Sequence, residues 1–228
     1  MHALPTPLIH GLDILEAIPS AEIQALLEGS EIIELSKNQI LYEQGSEANS
    51  FAFVLSGSLK LCRTLGDKTS LLTLINQGGP VGYLLMNKPD ATYPADVIAL
   101  EQTKVLMITK EIYKKSWLKN SLITQRLLIA VQERCMGFHN LRSQQHAKLK
   151  PRLAAFLYDL YFLNKDTAGN KLTKKEIGQA IGAETATVIR AMKSFENQKL
   201  IEVSDSGCKI LQPAELLKIS QDSENDDL

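Results

Sequence analysis

Between about residue 31 and residue 109 the apolar positions come in short alternating runs, and from Lys110 they recur with helical period, so the chain changes character near its middle. The short runs are Glu31–Leu35, Gln39–Glu43, Phe51–Ser56, Ser58–Thr64, Ser70–Ile75 and Val105–Thr109, with Gly45, Gly57, Gly66, Gly78 and Gly79 at the turns. Brief strands joined by glycine turns predict an antiparallel roll or barrel, in which closing the sheet removes exposed edges. A helix is expected before the roll at Ser20–Leu27, with Ser20 as N-cap after Pro19 and with Ile23, Leu26 and Leu27 on one apolar face. After the roll, Ser121–Gln145 contains no proline and a single glycine, Gly137, which predicts one long helix. On it Leu127, Val131, Arg134, Phe138 and Leu141 follow 4,3,4,3 spacing, a coiled-coil seam interrupted by one charge. A homodimer is the natural reading of that stripe; the alternative is that it packs on the chain's own roll. Lys150-Pro151 then breaks the pattern and opens another helix running through Leu163, since proline suits a first helical turn.

The most specific segment is Leu172–Leu200. Thr173 and Glu176 form a T-x-x-E capping box that opens a helix with Ile177 and Ile181 facing inward. Gly178 would let two helices approach closely, and Gly182 falls where a short connection needs positive φ. A second helix is expected from about Glu184, its N-cap by position, with Val188, Met192 and Phe195 facing the core and Thr185, Ala186, Thr187, Ile189, Arg190 and Lys193 elsewhere. This is the spacing of a helix-turn-helix. Beyond it Leu200–Val203 and Lys209–Leu211 flank a Ser-Asp-Ser-Gly turn, the hairpin that would make the wing of a winged helix.

Charge sharpens that picture. The net charge of −1 hides an uneven distribution: residues 1–139 carry 12 Lys and Arg against 14 Asp and Glu, whereas residues 140–218 carry 13 against 8. Net positive charge is therefore confined to the segment with the paired helices, where a polyanion would bind. Residues 219–228 add four acids and no base and are expected to be a solvated, disordered tail. In such a motif the second helix enters the major groove of double-stranded DNA. Arg190 is the expected base reader, because a guanidinium donates two bonds to guanine. Thr185 and Thr187 would reach bases or phosphates, and Thr173, Lys174, Lys175 and Lys193 would hold phosphate.

Composition excludes several alternatives. With 44% apolar and 22% charged residues, 13 Gly and 8 Pro, the chain is neither disordered nor fibrous. Its three cysteines, Cys62, Cys135 and Cys208, form no C-x-x-C unit and fit a reducing cytosol. No apolar run is long enough to span a membrane, and residues 1–20 lack Lys and Arg, so a cytoplasmic protein without a signal peptide is expected. A β-roll metalloenzyme of cupin type is the alternative from another function class, but it needs clustered histidines and none lies between residues 11 and 138. No catalytic motif is legible, so no enzyme activity, metal or cofactor is assigned.

The order of roll, long helix and helix-turn-helix resembles the family of the cyclic-AMP receptor protein and the fumarate–nitrate reduction regulator, over roughly residues 12–215. The resemblance rests on YEQGSEANSFAFVLSGSLKL, with Gly45 and Gly57, and on LTKKEIGQAIGAETATVIR, where Arg190 matches a family base-contacting arginine. It implies an α+β fold in four parts: a cyclic-nucleotide-binding-like β-roll sensor domain at 1–116, a dimerisation helix at 117–147, a winged helix-turn-helix DNA-binding domain at 148–218 and the tail at 219–228. It further implies a homodimeric transcription regulator on a two-fold symmetric operator, with RNA polymerase as a candidate second partner. The dimer seam would be Leu127, Val131, Phe138 and Leu141.

Departures from the family bear on what is sensed. Cyclic-nucleotide-binding members carry Gly-Glu for the ribose and, further on, an arginine that neutralises the cyclic phosphate. Here the matching stretches are Pro80-Val81-Gly82-Tyr83-Leu84 and Thr92-Tyr93-Pro94-Ala95-Asp96: Tyr83 stands for the acid and Tyr93 or Pro94 for the arginine. A phosphodiester would lose its counter-charge there, so cyclic AMP is not the expected effector; the alternative is a cyclic-nucleotide-dependent regulator with an atypical cassette. Val81, Gly82, Tyr83, Leu84 and Tyr93 form the expected effector pocket, suited to an apolar or aromatic effector or filled by its own side chains. Iron–sulfur sensing is excluded because no cysteine precedes Cys62. Haem would need an axial ligand from His2, His10, His139, His146, Cys62 or a methionine, none compelling, and thiol sensing at Cys62 or Cys135 stays open. Where close relatives have an Arg or Glu early in the second helix this sequence has Thr185 and Ala186, so the family's common operator is not assumed.

Overall fold

The computed structural model describes residues 12–129, 132, 148–163, 172–204 and 207–221. The chain forms two compact units, residues 1–68 with 72–135 and residues 136–228 with the short piece 69–71.

The first unit is the roll. Its strands are β1 (Glu31–Leu35), β2 (Ile40–Tyr42), β3 (Ser50–Ser56), β4 (Ser58–Leu65), β5 (Lys68–Asn76), β6 (Pro80–Val81), β7 (Asp96–Ala99) and β8 (Thr103–Thr109). They make two four-stranded sheets, ordered β1-β8-β3-β6 and β2-β7-β4-β5. The antiparallel pairing of β3 with β8 sets Phe51 opposite Ile108, Ala52 opposite Met107 and Phe53 opposite Leu106. All six short runs are strands, with ends shifted by up to two residues. Two strands lacked a periodic signal: β6 holds only two residues and begins at a proline, tolerated because it lies on a sheet edge, and β7 begins two residues after Pro94.

β3 is the spine of this unit. Phe51 to Leu55 are all buried, so this strand is covered on both faces, as its unbroken apolar run implies. Phe51 and Phe53 share a face and close on Trp117, with ring centroids 5.5 and 5.6 Å away, while Tyr113 meets Phe51 edge-on at 5.7 Å. Tyr113 lies in α2 (Lys110–Lys115), and Trp117 opens the 3-10 turn after it. The Trp117 indole Nε1 donates a 2.9 Å hydrogen bond to the carbonyl of Leu26, the last residue of α1 (Ser20–Leu26). A helix C-terminus leaves carbonyls without partners, and this one is satisfied by a buried side chain. At the other end of α1 the N-cap is Pro19, not Ser20, which is the first helical residue and makes no side-chain cap. Pro19 already has the extended backbone that the flanking position requires (ψ 140), so the chain enters the helix one residue early.

The stretch expected as one long helix is helical at 121–129 and at 132, and its remainder lies outside the described residues; we call the described part α3. Ile123 and Leu127, one turn apart, are buried in the core of the roll unit. Leu127 was expected on the dimer seam; it instead takes the alternative reading, packing on the chain's own roll. Val131, Phe138 and Leu141 lie outside the described residues, as do Arg134, Cys135, His139 and His146. Leu122, Leu128 and Ile129 are exposed on α3. Arg126 clamps the N-terminal approach, donating from Nη1 to the carbonyls of Ile14 at 2.9 Å and Glu16 at 2.6 Å.

The second unit contains α4 (Leu149–Leu163), α5 (Lys174–Ile181), α6 (Thr185–Asn197), the hairpin β9 (Ile201–Ser204) and β10 (Gly207–Ile210), and α7 (Pro213–Gln221). Its core collects Leu153, Leu157 and Leu160 of α4, Ile177, Val188, Met192 and Phe195 of the paired helices, and Leu216 of α7. α7 had no forecast, and it carries helix through Gln221 into the stretch expected as disordered tail; residues 222–228 lie outside the described part. Cys208 sits buried in β10, where burial, with the Glu196 carboxylate adding to it, pushes its thiol up to about 11. At pH 8 a group with that pKa is thiolate in only about one molecule in a thousand. Native protein treated with Ellman's reagent at pH 8 should therefore leave Cys208 unmodified, as read by peptide mass spectrometry, while urea-unfolded protein is labelled fully. Rapid native labelling of Cys208 would contradict this burial.

Candidate nucleic-acid interface and effector cassette

α5 and α6 are joined by a tight turn built from residues the sequence singles out. The Thr173 side chain accepts from the Glu176 backbone N–H at 3.2 Å, and the Glu176 carboxylate accepts from the Thr173 N–H at 2.8 Å, completing the capping box. Gly182 ends α5 at φ 65°, and the Ala183 N–H returns to the Gly178 carbonyl at 2.9 Å. A Cβ on Gly178 would lie 2.7 Å from the Ala183 carbonyl oxygen, a contact real side chains do not make, so the turn excludes any larger residue there. α6 begins after Glu184, which has the extended backbone of an N-cap but makes no side-chain cap bond. That fits the weak capping of a glutamate at this position.

Val188, Ala191, Met192 and Phe195 bury the inner face of α6. Ala186, Arg190, Lys193 and Asn197, spaced 4,3,4, form the exposed face opposite. Among the described residues Arg190 is held by one 3.4 Å bond from its Nη2 to the Thr187 hydroxyl, which leaves most of its donors free of them. A shallow hollow lined by Arg190, Lys193, Ser194, Asn197 and Gln198 continues the face toward the helix end. Thr185 is exposed and Thr187 half-buried beside this face; Thr173 and Lys175 are exposed and Lys174 half-buried at the start of α5. Thus Thr185, Thr187, Arg190 and Lys193 are brought together on one helix, with Thr173, Lys174 and Lys175 on its neighbour. Ser194, Asn197 and Gln198 were missed, although extending the Arg190, Lys193 spacing by one turn reaches Asn197.

α6 ends in a Schellman arrangement: the Lys199 N–H bonds the Glu196 carbonyl and the Leu200 N–H bonds the Phe195 carbonyl, with Lys199 left-handed at φ 57°. Glu196 also reaches the wing, its Oε1 accepting from the Val203 N–H at 3.1 Å. β9 and β10 pair from Ile201 with Ile210 to Ser204 with Gly207, which makes the hairpin.

The cassette residues meet in the roll, with one exception. Val81, Tyr83 and Tyr93 are buried, and Gly82 adopts φ 86°. Leu84 turns outward and is 54% exposed, which separates it from the expected pocket set. It falls in a 3-10 turn, where neighbouring side chains diverge, so an apolar run in sequence does not make one apolar wall. The Tyr93 ring stacks on Tyr42 at 4.1 Å and 8°, and its hydroxyl donates to the Ser50 carbonyl at 2.5 Å. A Cβ on Gly82 would come within 3.3 Å of both that ring and the Ser50 carbonyl. Burial pushes the Tyr42 phenol above its ordinary pKa. Asp96 accepts from the Gln44 N–H at 2.7 Å. The one cation between Pro80 and Asp96, Lys88, is exposed. Among the described residues no cluster of His, Cys, Asp and Glu could hold a metal, and no helix is long and apolar enough to cross a membrane.

Two family models match the chain: the cyclic nucleotide-binding domain over residues 32–117 and the Crp-like helix-turn-helix domain over residues 151–219. The fumarate and nitrate reduction regulatory protein of Vibrio cholerae is 25% identical over 196 residues, 82% of this chain and 77% of that protein. The cAMP-activated global transcriptional regulator CRP of Escherichia coli is 26% identical over 173 residues, 73% of this chain and 82% of that protein. Among solved structures, FixK2 from Bradyrhizobium japonicum superposes with a TM-score of 0.72 at 16% identity, covering 83% of this chain and 96% of the other.

Proposed function

The chain belongs to the Crp/Fnr family of DNA-binding transcription regulators, and from that premise we propose that it acts as a homodimer on a two-fold symmetric operator without cyclic AMP as its effector. The observation that carries the DNA reading is the α6 face of Ala186, Arg190, Lys193 and Asn197, exposed above a capped, close-packed brace. Arg190 reads a base edge, Thr185 and Thr187 flank it, and Thr173, Lys174, Lys175 and Lys193 hold phosphates and fix the register. The exposed Leu122 and Ile129 of α3, seven residues apart and turned away from the buried Ile123 and Leu127, support dimerisation through that helix. Sensing belongs to the roll, dimerisation to the segment after it and operator binding to residues 148–218.

Tyr93 occupies the place where cyclic AMP would need a cation. A cyclic phosphate in the cassette would need a counter-charge, but the position carries a phenol already bonded to Ser50 and stacked on Tyr42. Burying a phosphodiester charge against that pair, with Asp96 close in sequence, lacks compensation. The roll therefore responds to an effector of other chemistry or to none.

Footprinting of purified full-length protein on genomic fragments, with and without cyclic AMP, tests both halves. Protection of a palindromic site, unchanged by cyclic AMP, is expected, as is an unaltered melting temperature. A ligand present at a hundred times its Kd would stabilise the fold by about 2.7 kcal/mol, well within reach of a thermal scan. A footprint that appears only with cyclic AMP would overturn the sensor reading.

A further inference from the structure

Ile189 is chemically out of place on α6, being a branched apolar side chain left 47% exposed on the second helix of a DNA-binding motif. It gives the helix little, since β-branched residues lose rotamer freedom there and nearly half of its area stays in water. Its neighbours on the surface are Thr185 one turn before, Ala186 three residues before and Lys193 one turn after, with Arg190 adjacent in sequence. Thr185, Ala186 and Ile189 are exposed together and all present methyl groups, whereas the cations follow along the helix. The N-terminal half of α6 is thus an apolar patch bordered by positive charge.

We propose that Ile189, with the methyl groups of Thr185 and Ala186, reads thymine methyls in the major groove, so that each operator half-site carries thymine beside the base contacted by Arg190. The inference rests on the DNA-binding reading above and deepens it. Among natural base edges in that groove only thymine offers an apolar group, its C5-methyl. The exocyclic amines of adenine and cytosine would be buried against Ile189 without an acceptor, a desolvation cost that disfavours them. Ala186 sharpens the choice: a carboxylate there would accept from cytosine, and the exposed face of Ala186, Arg190, Lys193 and Asn197 carries no acid. Arg190 supplies the polar discrimination and Ile189 the apolar one, from neighbouring positions.

Duplexes selected by the full-length protein from a random pool would be resynthesised with 2′-deoxyuridine replacing thymine one position at a time, which removes only the methyl group. Affinity read by fluorescence anisotropy should fall about fourfold at a contacted thymine, the equivalent of one methyl returned to water, and about fifteenfold when both half-sites are changed. Ile189→Ser should no longer distinguish thymine from uracil at the position that Ile189 contacts, and in the wild-type protein 5-methylcytosine should recover part of the affinity that cytosine loses at that position. Equal binding of uracil and thymine duplexes by the wild-type protein at every position would overturn the inference while leaving DNA binding intact. Failure to select any duplex at low salt would overturn the DNA reading itself and this inference with it.

Discussion

Arg190→Ala should reduce operator affinity a hundredfold or more while leaving the melting temperature almost unchanged. The guanidinium is exposed and, among the described residues, makes one long bond, to Thr187, so its removal takes nothing from the core. Surface substitutions of this kind change stability by about 0.5 kcal/mol or less. A bidentate contact to guanine is worth about 1–3 kcal/mol, and the proposed symmetric dimer would make the contact twice. Arg190→Lys separates charge from geometry: it should retain salt-dependent binding to arbitrary duplex but lose preference for the operator, because an ammonium cannot present the planar fork. Gel-shift titrations with specific and scrambled duplexes at two salt concentrations read both effects. Undiminished operator affinity in Arg190→Ala would move base reading to another residue.

The largest expected effect on folding belongs to Trp117→Ala. Trp117 is fully buried, stacked on Phe53 at 24° and edge-on to Phe51, and its indole holds the Leu26 carbonyl. Truncating a buried aromatic to alanine costs about 3–5 kcal/mol. The abandoned carbonyl adds about 1–3 kcal/mol. Together these approach the whole stability of an ordinary domain, about 5–15 kcal/mol. The variant's roll should be largely unfolded at 37 °C by far-UV circular dichroism. Trp117→Phe, which keeps the rings and loses the indole bond, should remain folded with a lowered melting temperature. A melting curve for Trp117→Ala within a few degrees of wild type would show that the roll does not depend on this anchor.

What the sequence revealed, and what it hid, follows the range over which each feature is determined. The helix-turn-helix was legible almost residue by residue because its signals are local: the Thr173–Glu176 box, the left-handed Gly182 and the inward Val188, Met192 and Phe195 all act within a turn or two. Family matches over residues 32–117 and 151–219 agree with the reading of roll and DNA-binding motif. Periodicity on α3 identified an apolar stripe but not what the stripe faces, and Leu127 packs inward where a partner was expected. Leu84 failed for a related reason, since adjacency in an apolar run says nothing of direction in a 3-10 turn. The Tyr42–Tyr93 stack joins residues 51 positions apart, and no local pattern announces it. Asn197 and Gln198 escaped notice because amides near a helix end look like ordinary surface.

The aromatic cluster has a practical corollary. The chain contains a single tryptophan, and it is sealed inside the roll unit between phenylalanine rings. Intrinsic fluorescence excited at the indole is therefore a native reporter confined to the roll unit: blue-shifted while that core is closed and red-shifted when water reaches it, with the helix-turn-helix unit spectrally silent. Candidate effectors can be screened against unlabelled protein, and any change in emission is assignable to the roll without further dissection.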